Sequence, residues 1–230
     1  MYDVLVLGEL NADLILRGDV EPAWGQAEQL LEDASFVLGS SSAIFACGVA
    51  RLGLRVAFAG VIGDDMVGRF CREQLEAAGV DTAGVVVDPE QRTGMTVILQ
   101  KPDDRAMFTH LGAIAALSPA LVAPELLRQA RHLHVGSYWL QAALQPGLPA
   151  LFREARQRGA TTSLDTNWDP SGAWSGLDAL LAETDILLPN EAEACAIAGA
   201  PQWEEALTRL AARVPTVAIK RGAAGASAVR

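Results

Sequence analysis

Short apolar runs alternate along the chain with longer stretches of helical spacing. The runs at residues 4–7, 56–62, 184–188 and 216–220 are brief and mostly apolar, the pattern of strands buried on both faces, and 131–135 and 161–164 read as further short strands. Between them lie stretches suited to helices. One follows the small polar turn Gly39-Ser40-Ser41-Ser42 and stops at Gly53. Another opens at Gly63-Asp64-Asp65 and runs through Ala77, with an aspartate placed to cap it. Shorter ones start at Ser118-Pro119 and Ala123-Pro124. A fifth covers 150–158 and ends at Gly159, and a sixth opens at Asn190. Strands alternating with helices predict an α/β fold with a mostly parallel sheet covered by helices. Two segments break this rhythm. Residues 14–37 suggest strands at 14–20 and 29–37, and residues 93–109 suggest a hairpin turning at Pro102-Asp103-Asp104.

Composition narrows the classes. The chain has 230 residues, 50% of them hydrophobic, enough for one large core and read as a single domain over 1–230. A net charge of -10 argues against a nucleic-acid or anionic-membrane surface, because phosphate backbones select basic patches. Cys47, Cys71 and Cys195 are scattered, odd in number and form no CxxC, as in reduced core thiols. No signal-like segment or membrane-length apolar run is present, so a cytoplasmic protein is expected.

Candidate chemistry collects where strands end, the edge at which open α/β sheets bind ligands. After the first strand come Asn11 and Asp13, two apart and hence on one side of an extended segment. They suit the hydroxyls of a polyol, or they simply turn the chain. Gly136-Ser137-Tyr138-Trp139 ends another strand and offers an aromatic for a sugar face. Asp165 and Asn167 end a third. Asp169, two beyond, would repel an acidic substrate. Asn190 and Glu193 stand one helical turn apart at a helix start. They fit a Mg2+ and phosphate site, or a helix cap with acidic first-turn residues. Lys220 precedes a turn bearing Gly222 and Gly225. His132 and His134 share a strand face without a nearby carboxylate or thiol cluster.

In order and over essentially the whole chain, these motifs resemble the ribokinase-like (PfkB-type) carbohydrate kinases. The resemblance implies a three-layer α/β sandwich with a small β lid drawn from about 14–37 and 93–109, which also serves some members as a homodimer contact. It implies ATP and Mg2+ as cofactors and transfer of the γ-phosphoryl group to a sugar hydroxyl. Asp13 would grip the sugar, with Asn11, Gly39, Ser40, Asp165 and Asn167 around it. Asn190 with Glu193 would serve phosphate and metal, and Lys220, Gly222 and Gly225 would line the ATP pocket. The signature departs from the family at two points. Ile44 aligns with a sugar-binding Asn, and Ile114 stands where many members have Asn. The Gly-Ala-Gly-Asp motif, which carries the family's catalytic base, would lie beyond Arg230. The expectation is therefore a sugar-kinase chain inactive by itself. The alternative is a non-catalytic sugar- or nucleotide-binding protein of the same fold.

Overall fold

A computed structural model describes all 230 residues. The strands are β1 (Val4–Leu7), β2 (Asn11–Arg17), β3 (Asp33–Leu38), β4 (Val56–Gly63), β5 (Asp81–Asp88), β6 (Gly94–Gln100), β7 (Arg105–His110), β8 (His132–Val135), β9 (Thr161–Leu164), β10 (Ile186–Leu187), β11 (Thr216–Lys220) and β12 (Ala226–Val229). The helices are α1 (Ser41–Arg51), α2 (Met66–Ala77), α3 (Pro124–Gln129), α4 (Leu148–Gln157), α5 (Asp178–Leu181), α6 (Glu191–Ala198) and α7 (Trp203–Ala211).

Eight strands form the main sheet in the order β12-β11-β10-β9-β8-β1-β4-β5, with only the β11–β12 pair antiparallel. The chain runs from β1 to β4 and β5 on one side, then crosses to β8 through β12 on the other. The order thus reverses beside β1, and such a reversal opens a crevice at the strands' C-terminal ends. Period-two alternation splits the core. Leu5 and Leu7 join the larger apolar cluster with Phe152, Leu180 and Leu210 from α4, α5 and α7. Val4 and Val6 join the smaller one with Ala43, Ala46, Cys71 and Leu75 from α1 and α2. Each face buries its own layer, so the sheet is sandwiched, and its inner strands carry little polarity.

The four remaining strands make a second, smaller sheet, in the order β3-β2-β6-β7. Its strands differ from the expected ranges. The first begins at Asn11, so Asn11 and Asp13 lie in this smaller sheet itself. It stops at Arg17 because Gly18 turns away with φ of 116°. The second occupies Asp33–Leu38, and residues 18–32 hold no strand. The helix expected at 150–158 starts two residues earlier, with Pro149 in its first turn. Strand β5 was not anticipated. Its Val85, Val86 and Val87 lie on an edge strand between the polar ends Asp81 and Asp88, where alternation is weak. Asp65 caps α2 as expected, accepting from the Gly68 N–H at 2.7 Å, and also accepts from the Thr93 N–H at 2.8 Å. No helix is long and apolar enough to cross a membrane.

Candidate functional site

The first wall comes from the start of β2. Asn11 donates through Nδ2 to Asp13 Oδ1 at 2.9 Å, so the two-residue spacing does place both groups on one side. Burial pushes the Asp13 carboxyl above its ordinary value, against the Asn11 hydrogen bond and the charge of Arg105; Glu9 adds to the rise. Gly39 lies against this pair. A Cβ there would fall 2.1 Å from Asp13 Oδ1 and 2.6 Å from Asn11 Nδ2, so only glycine lets the turn approach.

Ser40 has a different task from a direct side-chain contact. Its hydroxyl donates to the Glu9 carbonyl at 2.6 Å and accepts from the Ala43 N–H at 2.9 Å, capping α1. Ser41 is the serine that turns toward the crevice. Its hydroxyl meets Ser137 Oγ at 2.9 Å and accepts from Asn167 Nδ2 at 2.8 Å.

The organiser of this crevice is a residue the sequence did not single out. Glu9, just past β1, is 2% exposed, and its Oε1 accepts from Ser137 Oγ at 2.8 Å, Ser41 Oγ at 3.1 Å and the Ser42 N–H at 3.3 Å. Its Oε2 accepts from Ser42 Oγ. A buried carboxylate is tolerated when donors surround it, and here four converge. Ser40, Ser137 and Asn167 all have left-handed backbone, with φ of 67°, 48° and 54°. Non-glycine residues in that region carry strain, and such strain clusters at functional sites. The clue available in sequence was Glu9 directly after Gly8 at a strand end. Its partners lie 32 and 128 residues away, so no local pattern betrays them.

The second wall is charged. Lys220, ending β11, donates to Asp165 Oδ2 at 2.5 Å, bringing together two residues that the resemblance had given to ATP and sugar respectively. Asp165 Oδ1 is sealed from solvent with no partner in the chain. Asn190 and Glu193 form a reciprocal capping box on α6. Asn190 Oδ1 accepts from the Glu193 N–H at 2.9 Å, and Glu193 Oε2 accepts from the Asn190 N–H at 2.9 Å. Asn190 Nδ2 adds a third bond to Glu193 Oε1 at 2.7 Å. Burial raises the Glu193 pKa, the Asn190 N–H opposes it, and the nearby Asp165 charge reinforces it. No three metal-ligating side chains gather as a cage anywhere. Gly222 and Gly225 have φ of 54° and 85°, and a Cβ at either would meet open space. Turn conformation, not crowding within the chain, is what calls for glycine there.

Several other candidates are used structurally. Asp169 does not face the crevice as a free carboxylate. It is buried and accepts from the Ser171 N–H at 2.8 Å, Ser171 Oγ at 2.7 Å and the Trp174 N–H at 2.7 Å. Burial opposes its charge, but these bonds outweigh burial and hold its pKa below the ordinary value. Its expected repulsion of acidic substrates loses its basis. Ile114 is 1% exposed and packs over Gly94, a core position. Ile44 lines a separate shallow groove with Leu38, Cys47, Gly48, Arg51 and Gln74. Tyr138 is buried, while Trp139, Trp174 and the exposed Trp168 form a chain of edge-to-face contacts at 5.8 and 5.1 Å beside Asn167.

His132 Nε2 and His134 Nδ1 each lie 2.7 Å from Ser163 Oγ, and Phe45 stacks on His134 at 3.7 Å. Burial, with the charges of His132 and Lys220, pushes the His134 pKa down to about 3, so this imidazole is neutral in the folded chain. An unfolded imidazole binds a proton near 6.5. Stability from this group is therefore complete above about 6.5 and is lost as pH falls toward about 3, by up to about 1.4 kcal/mol per unit. Between pH 7 and pH 5 the His134 contribution should fall by about 2 kcal/mol. Urea titrations of wild type and His134→Gln check this: an equal pH slope in both proteins would rule it out.

Comparison with known proteins now bears on this arrangement. The sequence matches the pfkB family carbohydrate kinase domain across residues 1–230. This chain belongs to the pfkB family of carbohydrate kinases. It is 31% identical over 230 residues to the ATP-dependent ribose-1-phosphate kinase of Halopiger xanaduensis, covering 98% of this chain and 73% of that one. It is 27% identical over 200 residues to the ribokinase of Staphylococcus aureus, covering 85% of this chain and 63% of that one. Among solved structures it superposes on adenosine kinase from Sinorhizobium meliloti with a TM-score of 0.85 and 26% identity, covering 100% of this chain and 77% of that one. The ribokinase-like α/β fold expected from the motifs is therefore the fold of this chain.

Proposed function

We propose that this chain forms the sugar- and phosphate-handling body of an ATP-dependent kinase acting on a sugar-like alcohol, with the 1–230 unit and its lid working as one domain. One observation carries the reading. At the same edge of the main sheet, an acceptor wall of Asn11, Asp13 and Asn167 stands beside the charged group of Asp165, Lys220 and Glu193. The relatives named above are kinases of ribose, ribose 1-phosphate and adenosine, which share a ribosyl group and its hydroxyls.

Phosphoryl transfer depends on positioning and on neutralising charge. Asp13 would orient the acceptor by taking hydrogen bonds from its hydroxyls, with Asn11 fixing the carboxylate's rotamer. Lys220 would swing from Asp165 toward a phosphate, since its own side chain is half exposed and free to turn outward. Gly222 and Gly225 would leave room for the nucleotide. Mg2+ fits this edge, because Asp165 Oδ1 lacks a partner and Glu193 is a buried carboxyl beside a like charge. Glu193, with Asp165 near it, would hold the ion largely through waters and phosphate oxygens, where it neutralises phosphate charge. No residue of the chain is assigned the role of catalytic base.

Calorimetric titration of the chain tests this. A neutral sugar or nucleoside is expected to bind, and a non-hydrolysable ATP analogue with Mg2+ to bind separately. Asp13→Asn should weaken the sugar about tenfold or more and spare the nucleotide, since it removes a charged hydrogen-bond partner. Lys220→Ala should do the reverse. Loss of neither ligand in either variant would reject the assignment. Met107 and Phe108, neighbours on β7, are 56% and 60% exposed, so both lid faces carry open apolar surface. We extend the proposal to a homodimer through the lid; a purely monomeric sedimentation profile would count against it.

A further inference from the structure

The hydrogens of the Glu9 network can be followed one at a time. As a carboxylate, Glu9 accepts and never donates. The Ser137 hydroxyl hydrogen therefore points to Glu9, and that of Ser41 to Glu9 or to Ser137. Both serine oxygens are then left with lone pairs toward Asn167. The amide answers with its two hydrogens, Nδ2 lying 2.8 Å from Ser41 Oγ and 2.7 Å from Ser137 Oγ. Asn167 Oδ1 is consequently its only group free for a ligand. Asn11 behaves in the same way. Its Nδ2 hydrogens go to Asp13 Oδ1 at 2.9 Å and the Ala12 carbonyl at 3.5 Å. Three oxygens remain without a partner in the chain: Asn11 Oδ1, Asp13 Oδ2 and Asn167 Oδ1. All three accept.

From this we infer that Glu9 is a positioning and specificity residue. Acting through Ser41 and Ser137, it locks the Asn167 amide so that the side chains of Asn11, Asp13 and Asn167 present acceptors to the substrate and no donor. The part of the substrate that meets these oxygens is accordingly polyhydroxylated, a sugar or ribosyl group, whose hydroxyls there serve as donors. A carboxylate, phosphate or carbonyl oxygen placed against these three oxygens would meet lone pairs. This inference rests on the sugar-kinase reading above and specifies the hydrogen-bond polarity of that site.

Fluorine in place of a hydroxyl keeps the size and accepts weakly, but cannot donate. The chain is first titrated against a panel of neutral aldoses, ketoses and nucleosides. The tightest ligand is then compared with its monodeoxy and monodeoxyfluoro analogues. At a hydroxyl held by this wall, the fluoro analogue should bind about tenfold more weakly than the parent, as weakly as the deoxy compound. Fluoro analogues that all bind within about twofold of the parent would overturn the inference while leaving the sugar-binding reading intact. A panel in which nothing binds would overturn both. Glu9→Leu carries the second test. Without its acceptor, Ser41 and Ser137 can donate to Asn167 Oδ1, and the amide can turn its hydrogens to the ligand. The fluorine penalty at the Asn167-bound hydroxyl should then drop below about threefold. General loosening of the site would instead weaken parent and fluoro analogue alike and leave their ratio unchanged, which would refute the role of Glu9. If Glu9→Leu does not fold, Ser137→Ala in its place removes one of the two hydroxyls that anchor the amide, and the same ratio is read.

Discussion

Gly39→Ala is expected to weaken sugar binding about 100-fold or more, with little change in melting temperature. The added Cβ would stand 2.1 Å from Asp13 Oδ1, 2.5 Å from Asp13 Cγ and 2.6 Å from Asn11 Nδ2. No real Cβ contact is that short, so the two side chains must leave. The clash falls on side-chain atoms, not on backbone, and the backbone at Gly39 is not left-handed, so the fold survives. Their departure removes the paired acceptors. Each hydrogen bond to a charged group contributes about 1.5–3 kcal/mol, and losing Asp13 with its Asn11 support reaches about 3 kcal/mol. Calorimetry against the tightest sugar, with differential scanning calorimetry beside it, checks both halves. An affinity within about threefold of wild type would mean that this wall does not touch the substrate.

The largest loss of stability is expected from Phe58→Ala, about 3–5 kcal/mol. Phe58 is fully buried at the middle of β4, in the cluster shared by α1 and α2. Its ring fills space that glycine leaves open: a Cβ on Gly60 would come within 2.8 Å of it. A smaller side chain would leave a cavity that its neighbours cannot close, because β4 is hydrogen-bonded to a strand on each side. Urea unfolding monitored by circular dichroism measures the effect. A loss under about 1.5 kcal/mol would show that the layer relaxes into the gap.

Two kinds of information were needed to reach the site. Local pairs could be read along the chain because their physics is local. Asn11 with Asp13 follows from strand alternation, and Asn190 with Glu193 from the helical turn. The second pair shows the limit of such reading. Cap and phosphate site predict the same residues, and the capping box that forms is compatible with both. Ser40, Asp169 and Ile114 show another limit. Each is a plausible ligand contact by position, yet the fold assigns its side chain to a helix cap, a loop and the core.

The sequence by itself determined an α/β class with a mostly parallel sheet, most of its strands and helices in order, and the polar residues at strand ends. Hydrophobic periodicity, turn residues and capping spacings are short-range, so they are written into neighbouring positions. Tertiary structure alone decided what those residues do together. It brought Glu9 to Ser41 and Ser137, Asn167 to both serines, and Lys220 to Asp165 across 55 residues. Such contacts arise where three or four strand ends meet at a reversal of strand order. Whether a buried carboxylate gathers its donors there depends on register and layer packing, which no local stretch of sequence contains.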